Sequence, residues 1–519
     1  MKTFTLLILF ITLCAGLPAA NAGAPAATPV ERHAFQRFTP YDEMLPFIKE
    51  LDGASPQFTV RIIGKSVKGR DIPALFLSSG AFASDRERKP VVMILCQQHG
   101  DEPSGKEAAL MIASELATGP QALLEKVDIA IIPMVNPDGA EKESRTNAND
   151  RDLNRNHVIL TEPEVQALHS IFWELMPEVT LDVHEYGPGS QQWVKRRMVK
   201  NADEMFDMVS NVNISPRIFA FSQSVMLPAV ERGVRREGFT YARYVVGTPF
   251  DGGRIRHSTT DICDGRQSFG IYNTLSYILE GRNCGKRPGD IEKRVKGQRA
   301  AIMALLETSA RQAPRIVSLV REERASLKSP DFLKGRAFIQ MDYFPDPLRR
   351  TFTMPILDLA TMAPEERAFR HYEPLVKIKK SMARPWAYVI PAGETGAIEI
   401  MKRHHIDLVS VESDMPVMAE RTMILHLAAR KEEETVLPNV DCETLSREEV
   451  LHRGDIVVRL EQSAGLLIPL MLEPESSWGL VTDTGEVPSA FAGTWLREGY
   501  PYPVIKIKNP GDLPGFDKN

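Results

Sequence analysis

Four short runs in the first three hundred residues are apolar at nearly every position: VVMILC (91–96), VDIAII (127–132), EVTLDV (178–183) and LSYILE (275–280). A strand with one wet face alternates polar and apolar residues, so runs without alternation belong to strands covered on both faces. Such a sheet needs helices above and below it. The segment SGKEAALMIASELA, 104–117, lies between the first two runs and carries apolar residues at helical spacing, which predicts a βαβ unit within an α/β fold.

The runs end on polar clusters. CQQHGDEPSG (96–105) places His99 three residues before Glu102, His184 follows the third run in LDVHEYG, and Glu280 closes the fourth in LEGRN. Sites in open parallel sheets gather at the carboxyl ends of the strands. A His and a Glu that leave a strand within one turn of chain can converge on one ion. Zinc takes imidazole nitrogen and carboxylate oxygen, and a catalytic zinc keeps three protein ligands and one position for water. His99 and Glu102 form such a pair, and His184 is the best-placed third ligand among the 11 histidines. Glu280 ends an apolar run, where burial raises proton affinity toward that of a general base; the competing reading pairs it with Arg282. The loop ESRTNANDRDLNRNH, 143–157, concentrates three arginines and four asparagines after VNPDGA. Guanidinium forks and amides suit a carboxylate, although a solvated turn-rich loop draws on the same residue types.

Together HGDEPSG, SRTNANDRDLNRN, LDVHEYG and LEGRN, in this order, resemble the carboxypeptidase A-like zinc carboxypeptidases. The resemblance covers roughly residues 35 to 310, including IGKSVKGRDIPAL, which is similar to the first hairpin of that family. It implies an α/β/α sandwich around a mixed eight-stranded sheet. It also implies one zinc per chain on His99, Glu102 and His184, with Glu280 as the base that relays the proton. Arg145 becomes the polariser of the scissile carbonyl, and Asn154 with Arg155 the clamp on a free terminal carboxylate. The implied substrate is a peptide or peptide-like molecule. A zinc deacylase or peptidoglycan-directed amidopeptidase on the same fold, and a non-catalytic binding protein, are the alternatives.

The chain departs from the family in three places. The region GGRIRHSTTDICDG, 252–265, lacks the tyrosine the family carries before the catalytic glutamate; Tyr241, Tyr244, Tyr272, His257 and Arg256 are the substitutes within reach. Asp150 and Arg151 stand where the family often has glycine and an apolar residue, which puts the register of Arg145 in question. Arg254, Arg256 and Arg266 either line a basic pocket suited to an acidic side chain or form a solvated loop face.

The domain reading is a signal peptide at 1–22, a catalytic domain at 35–312, a charged linker at 313–334 and a β-rich accessory domain at 335–519. Lys2, the apolar stretch FTLLILFITLCAGL and the small residues up to Ala22 have the form of an export signal, so a secreted or periplasmic protein without stable membrane insertion is expected. Lys+Arg 63 against Asp+Glu 68 gives a net charge of −5 without a basic run, which argues against nucleic acid as a partner. Cleavage leaves Cys96, Cys263, Cys284 and Cys442; Cys263 and Cys284 are the expected pair and Cys96 a buried thiol. Adjacent helical residues point about 100° apart, so His404 and His405 cannot readily share an ion and are expected at the surface or half-buried. The oligomeric state is left open.

Overall fold

The computed structural model describes residues 25–119, 122–432, 435–482, 496–513 and 516; the export signal expected at 1–22 lies outside them. No helix among the described residues is long and apolar enough to cross a membrane.

Strands β1 (Phe58–Lys65), β2 (Asp71–Leu77), β3 (Val91–Cys96), β4 (Asp128–Ile132), β5 (Val179–Tyr186), β6 (Met198–Lys200), β7 (Glu204–Met208), β8 (Tyr241–Arg243), β9 (Val246–Gly247), β10 (Ile255–Arg256) and β11 (Leu275–Arg282) follow in chain order. Eight of them form one mixed sheet in the order β1-β2-β4-β3-β5-β11-β7-β8. The neighbours β4, β3, β5 and β11 run parallel to one another, so their carboxyl ends share one edge. Every residue of β3, β4 and β5 is buried, as continuous apolar runs require. Strand alternation sends Val183 of β5 toward the helix Ser104–Thr118, where a Cβ on Gly105 would lie 2.5 Å from its Cγ1. Asp182 points to the opposite face, toward the helix Gly265–Gly270. The α/β/α sandwich read from the sequence is present.

One buried ion pair pins three elements together. Arg294, on the long helix Pro288–Arg311, grips Glu185 of β5 with Nε at 2.7 Å and Nη2 at 2.9 Å, while the Ser104 N–H donates to Glu185 Oε2 at 3.0 Å. The fork geometry satisfies both carboxylate oxygens away from water, and a carboxylate also suits the amino end of the Ser104–Thr118 helix.

The segment expected to be a linker contains the helix Ala313–Ser326, with Ile316, Val317, Leu319 and Val320 buried. Its charged residues hid an apolar face at helical spacing. Arg324 closes this helix onto the sheet layer by donating to the carbonyls of Tyr272, Met176 and Pro177 at 3.1, 2.8 and 2.7 Å.

The rest of the chain is β-rich: β12 (Arg336–Phe344), β13 (Phe352–Asp358), β14 (Pro364–Phe369), β15 (Leu375–Ala383), β16 (Ala387–Ile390), β17 (Val409–Ser410), β18 (Met415–Glu432), β19 (Thr435–Leu451), β20 (Ile456–Arg459) and β21 (Pro501–Ile507). Six of these form the sheet β17-β20-β16-β21-β18-β19, and β13 pairs with both β14 and β6, so the later strands extend a ribbon of the earlier half. His404 corrects its surface assignment: it is 1% exposed and pairs through Nε2 with the Val158 carbonyl at 2.7 Å, tying the helix Thr395–Arg403 to the first half. The expected Cys263–Cys284 bridge is not formed: no disulfide joins the four described cysteines, and Cys96 and Cys263 are buried.

Replacing Arg294 by Ala leaves Glu185 buried without its cation, and a broken buried pair costs about 3–5 kcal/mol. Chemical unfolding should show a loss of that size. A change under about 1 kcal/mol would mean that the pair does not hold these elements together.

Candidate active site

The turn after β3 is forced by close backbone contact. A Cβ on Gly100 would lie 2.0 Å from the carbonyl carbon of Gly139, so only glycine lets the loop rest on the helix Pro137–Lys142. Asn136 caps that helix by accepting from the Gly139 N–H at 2.8 Å and donates to the Gln98 carbonyl at 3.0 Å. The Glu102 N–H returns to the His99 carbonyl at 3.2 Å, which puts both side chains on one side of the turn.

His184 meets them from β5. Glu102 lies between the two imidazoles, its Oε1 2.8 Å from His99 Nδ1 and its Oε2 2.8 Å from His184 Nδ1, and the two Nδ1 atoms are 3.2 Å apart. One donor atom from each residue falls within 4.8 Å of the others, as a shared metal ion requires. All three residues are buried. Burial opposes ionisation of Glu102, but His99 and His184 hold its carboxyl well below the usual carboxylate range. The outer ring nitrogens are engaged by acids: His99 Nε2 with Asp152 at 3.1 Å and His184 Nε2 with Asp182 at 2.9 Å. An acid on the far nitrogen orients a metal-binding imidazole and raises its basicity. The donor chemistry therefore fits zinc.

Glu280 stands opposite His184 in the β5–β11 register. Burial, together with the nearby Glu102 charge, pushes its carboxyl up to about 7, and its electrostatic neighbours include Tyr244. The competing pairing with Arg282 does not form: Arg282 bonds Asp203 at 2.9 Å and Asn201. Among the possible aromatic substitutes, Tyr244 is the one whose hydroxyl feels the Glu280 charge, while Tyr241 and Tyr272 are buried, with the Tyr272 hydroxyl beside Trp173 and His404.

The arginine-rich loop is largely built by its own asparagines. Asn147 and Asn149 donate to Glu162 at 2.7 and 2.8 Å, and Asn156 donates to Thr161 at 2.8 Å. Asp150 takes φ 57°, the left-handed conformation that glycine adopts freely and that aspartate tolerates better than most residues. Arg145 lands at the metal candidates, with Nη1 3.2 Å from His99 Nδ1 and Nε 3.0 Å from Asp152 Oδ2, and its side chain is 47% exposed. Asn154 is turned inward, Nδ2 3.0 Å from His184 Nε2 and Oδ1 accepting from the Gly265 N–H at 2.8 Å. Arg155 donates to the Asn154 carbonyl at 2.9 Å. Sequence reasoning missed Asp152, Asp182 and Gln98, which donates to Asp182 at 2.9 Å. Asp182 was within reach, two residues before His184 on the same strand face. Gln98 carried no such signal.

Residues 44–170 match the family model for zinc carboxypeptidases. The chain carries a carboxypeptidase A-like catalytic domain. This carboxypeptidase domain is that of a zinc metallocarboxypeptidase, a hydrolase. The carboxypeptidase 2 of Trichophyton tonsurans is 24% identical over 458 residues, covering 86% of this chain and 82% of its own. That of Trichophyton rubrum is 25% identical over 469 residues with the same coverages, 86% and 82%. Among solved structures, the carboxypeptidase A of Helicoverpa armigera aligns at 20% identity and a TM-score of 0.43, covering 54% of this chain and 75% of that one. The family match includes His99, Glu102, Arg145, Asn154 and Arg155; His184 and Glu280 lie beyond it and join the group through the sheet.

Zinc added to metal-free protein should raise the melting temperature, and His184→Ala should abolish most of that shift and most of the bound metal measured by mass spectrometry. Full retention in the variant would remove His184 from the ligand set.

Proposed function

We propose that this is an exported zinc metallocarboxypeptidase that removes the C-terminal residue from peptides with a free carboxylate. His99, Glu102 and His184 hold one zinc per chain. Glu280 is the general base, Arg145 the carbonyl polariser, and Arg155 with Asn154 the seat of the terminal carboxylate. Residues 35–312 act as the catalytic unit, 313–334 as its connection to the accessory region 335–519, and 1–22 as the export signal. The reading rests on one observation: two imidazole Nδ1 atoms and a carboxylate face one another on the strand edge that also carries a buried Glu280.

Zinc held by these three residues would lower the pKa of water to about 7 and would polarise a carbonyl. Glu280, raised to about 7 by burial, is matched to accept a proton near neutrality and to return it to the leaving amine. Arg145 is fixed by Asp152 yet open to solvent, so its guanidinium can meet a substrate carbonyl and stabilise the negative charge that develops there. Arg155 supplies a planar donor fork for a carboxylate, and Asn154 ties its loop to His184 and Gly265.

Glu280→Gln should keep zinc and fold but lower kcat by at least about a hundredfold, because an amide cannot accept the proton. Near-normal turnover would move the base elsewhere. Amidating the C-terminus of a peptide removes the anion; charge-assisted hydrogen bonds contribute about 1.5–3 kcal/mol and each ~1.4 kcal/mol is tenfold, so kcat/KM should fall by roughly 10- to 100-fold. Arg155→Ala should erase that difference. Equal cleavage of both forms by the native enzyme would favour a deacylase or amidopeptidase.

A further inference from the structure

Three arginines follow one another near the cleft, and the structure separates them. Arg254 is matched by Glu373 at 2.7 Å and Asp342 at 2.8 Å, both from the β-rich region. Arg256 donates to the Ser258 carbonyl. Arg266 differs from both. Its side chain is fully buried, its Nε and Nη1 have no hydrogen-bond acceptor, and its ion pair is a long 3.4 Å contact from Nη2 to Asp264 Oδ2.

No nearby carboxylate is free to complete the set. Asp264 spends Oδ1 on the Gln267 N–H at 2.7 Å, capping the helix that carries Arg266. Asp207, whose charge also reaches Arg266, binds Arg243 through Oδ1 at 2.5 Å and His257 through Oδ2 at 2.7 Å. A buried guanidinium with two idle donors is costly unless an anion arrives to take them.

The position of Arg266 says which anion. The preceding Gly265 N–H donates to Asn154, the residue against His184, and the charge of Arg266 acts on Tyr244, an electrostatic neighbour of Glu280. Arg155, the proposed seat of the terminal carboxylate, acts on the same tyrosine. The charges of two guanidinium groups therefore reach the same tyrosine, and a substrate whose last residue is acidic brings two carboxylates. We infer that Arg266 selects peptides ending in an acidic side chain, binding that second carboxylate while Arg155 holds the first. This rests on the carboxypeptidase reading above. Neutral and basic terminal side chains leave the idle donors unpaired or add a like charge, so they are disfavoured.

The test uses zinc-loaded enzyme and peptides identical except for a final Glu or Gln, which match in shape and differ in charge. The kcat/KM ratio should favour Glu by about 10- to 100-fold, the range of a charge-assisted contact. Arg266→Met should reduce the ratio to near one while keeping the preference for free acid over amide. A native ratio near one, or an unchanged ratio in the variant, would overturn the inference. Loss of the acid-over-amide preference in Arg266→Met would overturn it too, assigning Arg266 to the terminal carboxylate. Should Arg266→Met not fold, the native ratio decides together with Arg266→Lys, which keeps the charge and should keep a reduced preference. Binding of the same peptides to the Glu280→Gln protein separates the two readings. Tighter binding of the Glu form without turnover by the native enzyme refutes the carboxypeptidase chemistry and supports Arg266; equal binding refutes Arg266.

Discussion

The in-register parallel pairing of β3, β5 and β11 is the constraint from which the site follows. Glu280 sits opposite His184, and Cys96 opposite Val183, so the turn that follows Cys96 must discharge His99 and Glu102 beside His184. A slip of one residue in β11 would turn Glu280 to the other face, because side chains alternate along a strand. The burial of all of β3 and β5 opposes such a slip, since every position has a packed neighbour above or below.

The same edge gathers charges that a protein interior tolerates only when they are matched. Glu102 is held ionised by two imidazoles, and those imidazoles are held by Asp152 and Asp182. On the opposite face, Glu185 is neutralised by Arg294. Histidine and glutamate alternate along β5, so one strand presents a metal candidate to one helical layer and a structural ion pair to the other. The groups left out of this matching are the informative ones: Glu280, pushed toward the neutral acid by burial, and Arg266, short of acceptors.

The β-rich half is joined to the cleft by direct contacts. Tyr343 donates to the His257 carbonyl at 2.6 Å, and the Tyr372 hydroxyl is 2.5 Å from His257 Nε2, so residues 254–258 are backed by strands from the later part of the chain. That region is where the expected tyrosine was missing. Its histidine faces Asp207 and Tyr372, and the tyrosine that feels the Glu280 charge is Tyr244, before β9. The fungal relatives align over 86% of the chain, so their likeness reaches past the eight-stranded sheet into this half.

Local pattern alone settled the buried strands, the helix between β3 and β4, and the strand-end residues His99, Glu102, His184 and Glu280, because continuous apolar runs and their polar stops are properties of neighbouring residues. The aspartate behind His184 was also legible by alternation. Helix Ala313–Ser326 was not, because its charges dominate the composition while its apolar face appears only once it has a surface to cover. Nor could sequence separate Tyr244 from Tyr241 and Tyr272, or Arg266 from Arg254 and Arg256. Those residues are alike in type and close in number, and what distinguishes them is which partners are already taken. Partners such as Glu373 and Asp342 for Arg254 lie roughly ninety to more than a hundred positions away, and only the closed tertiary structure brings them within bonding distance.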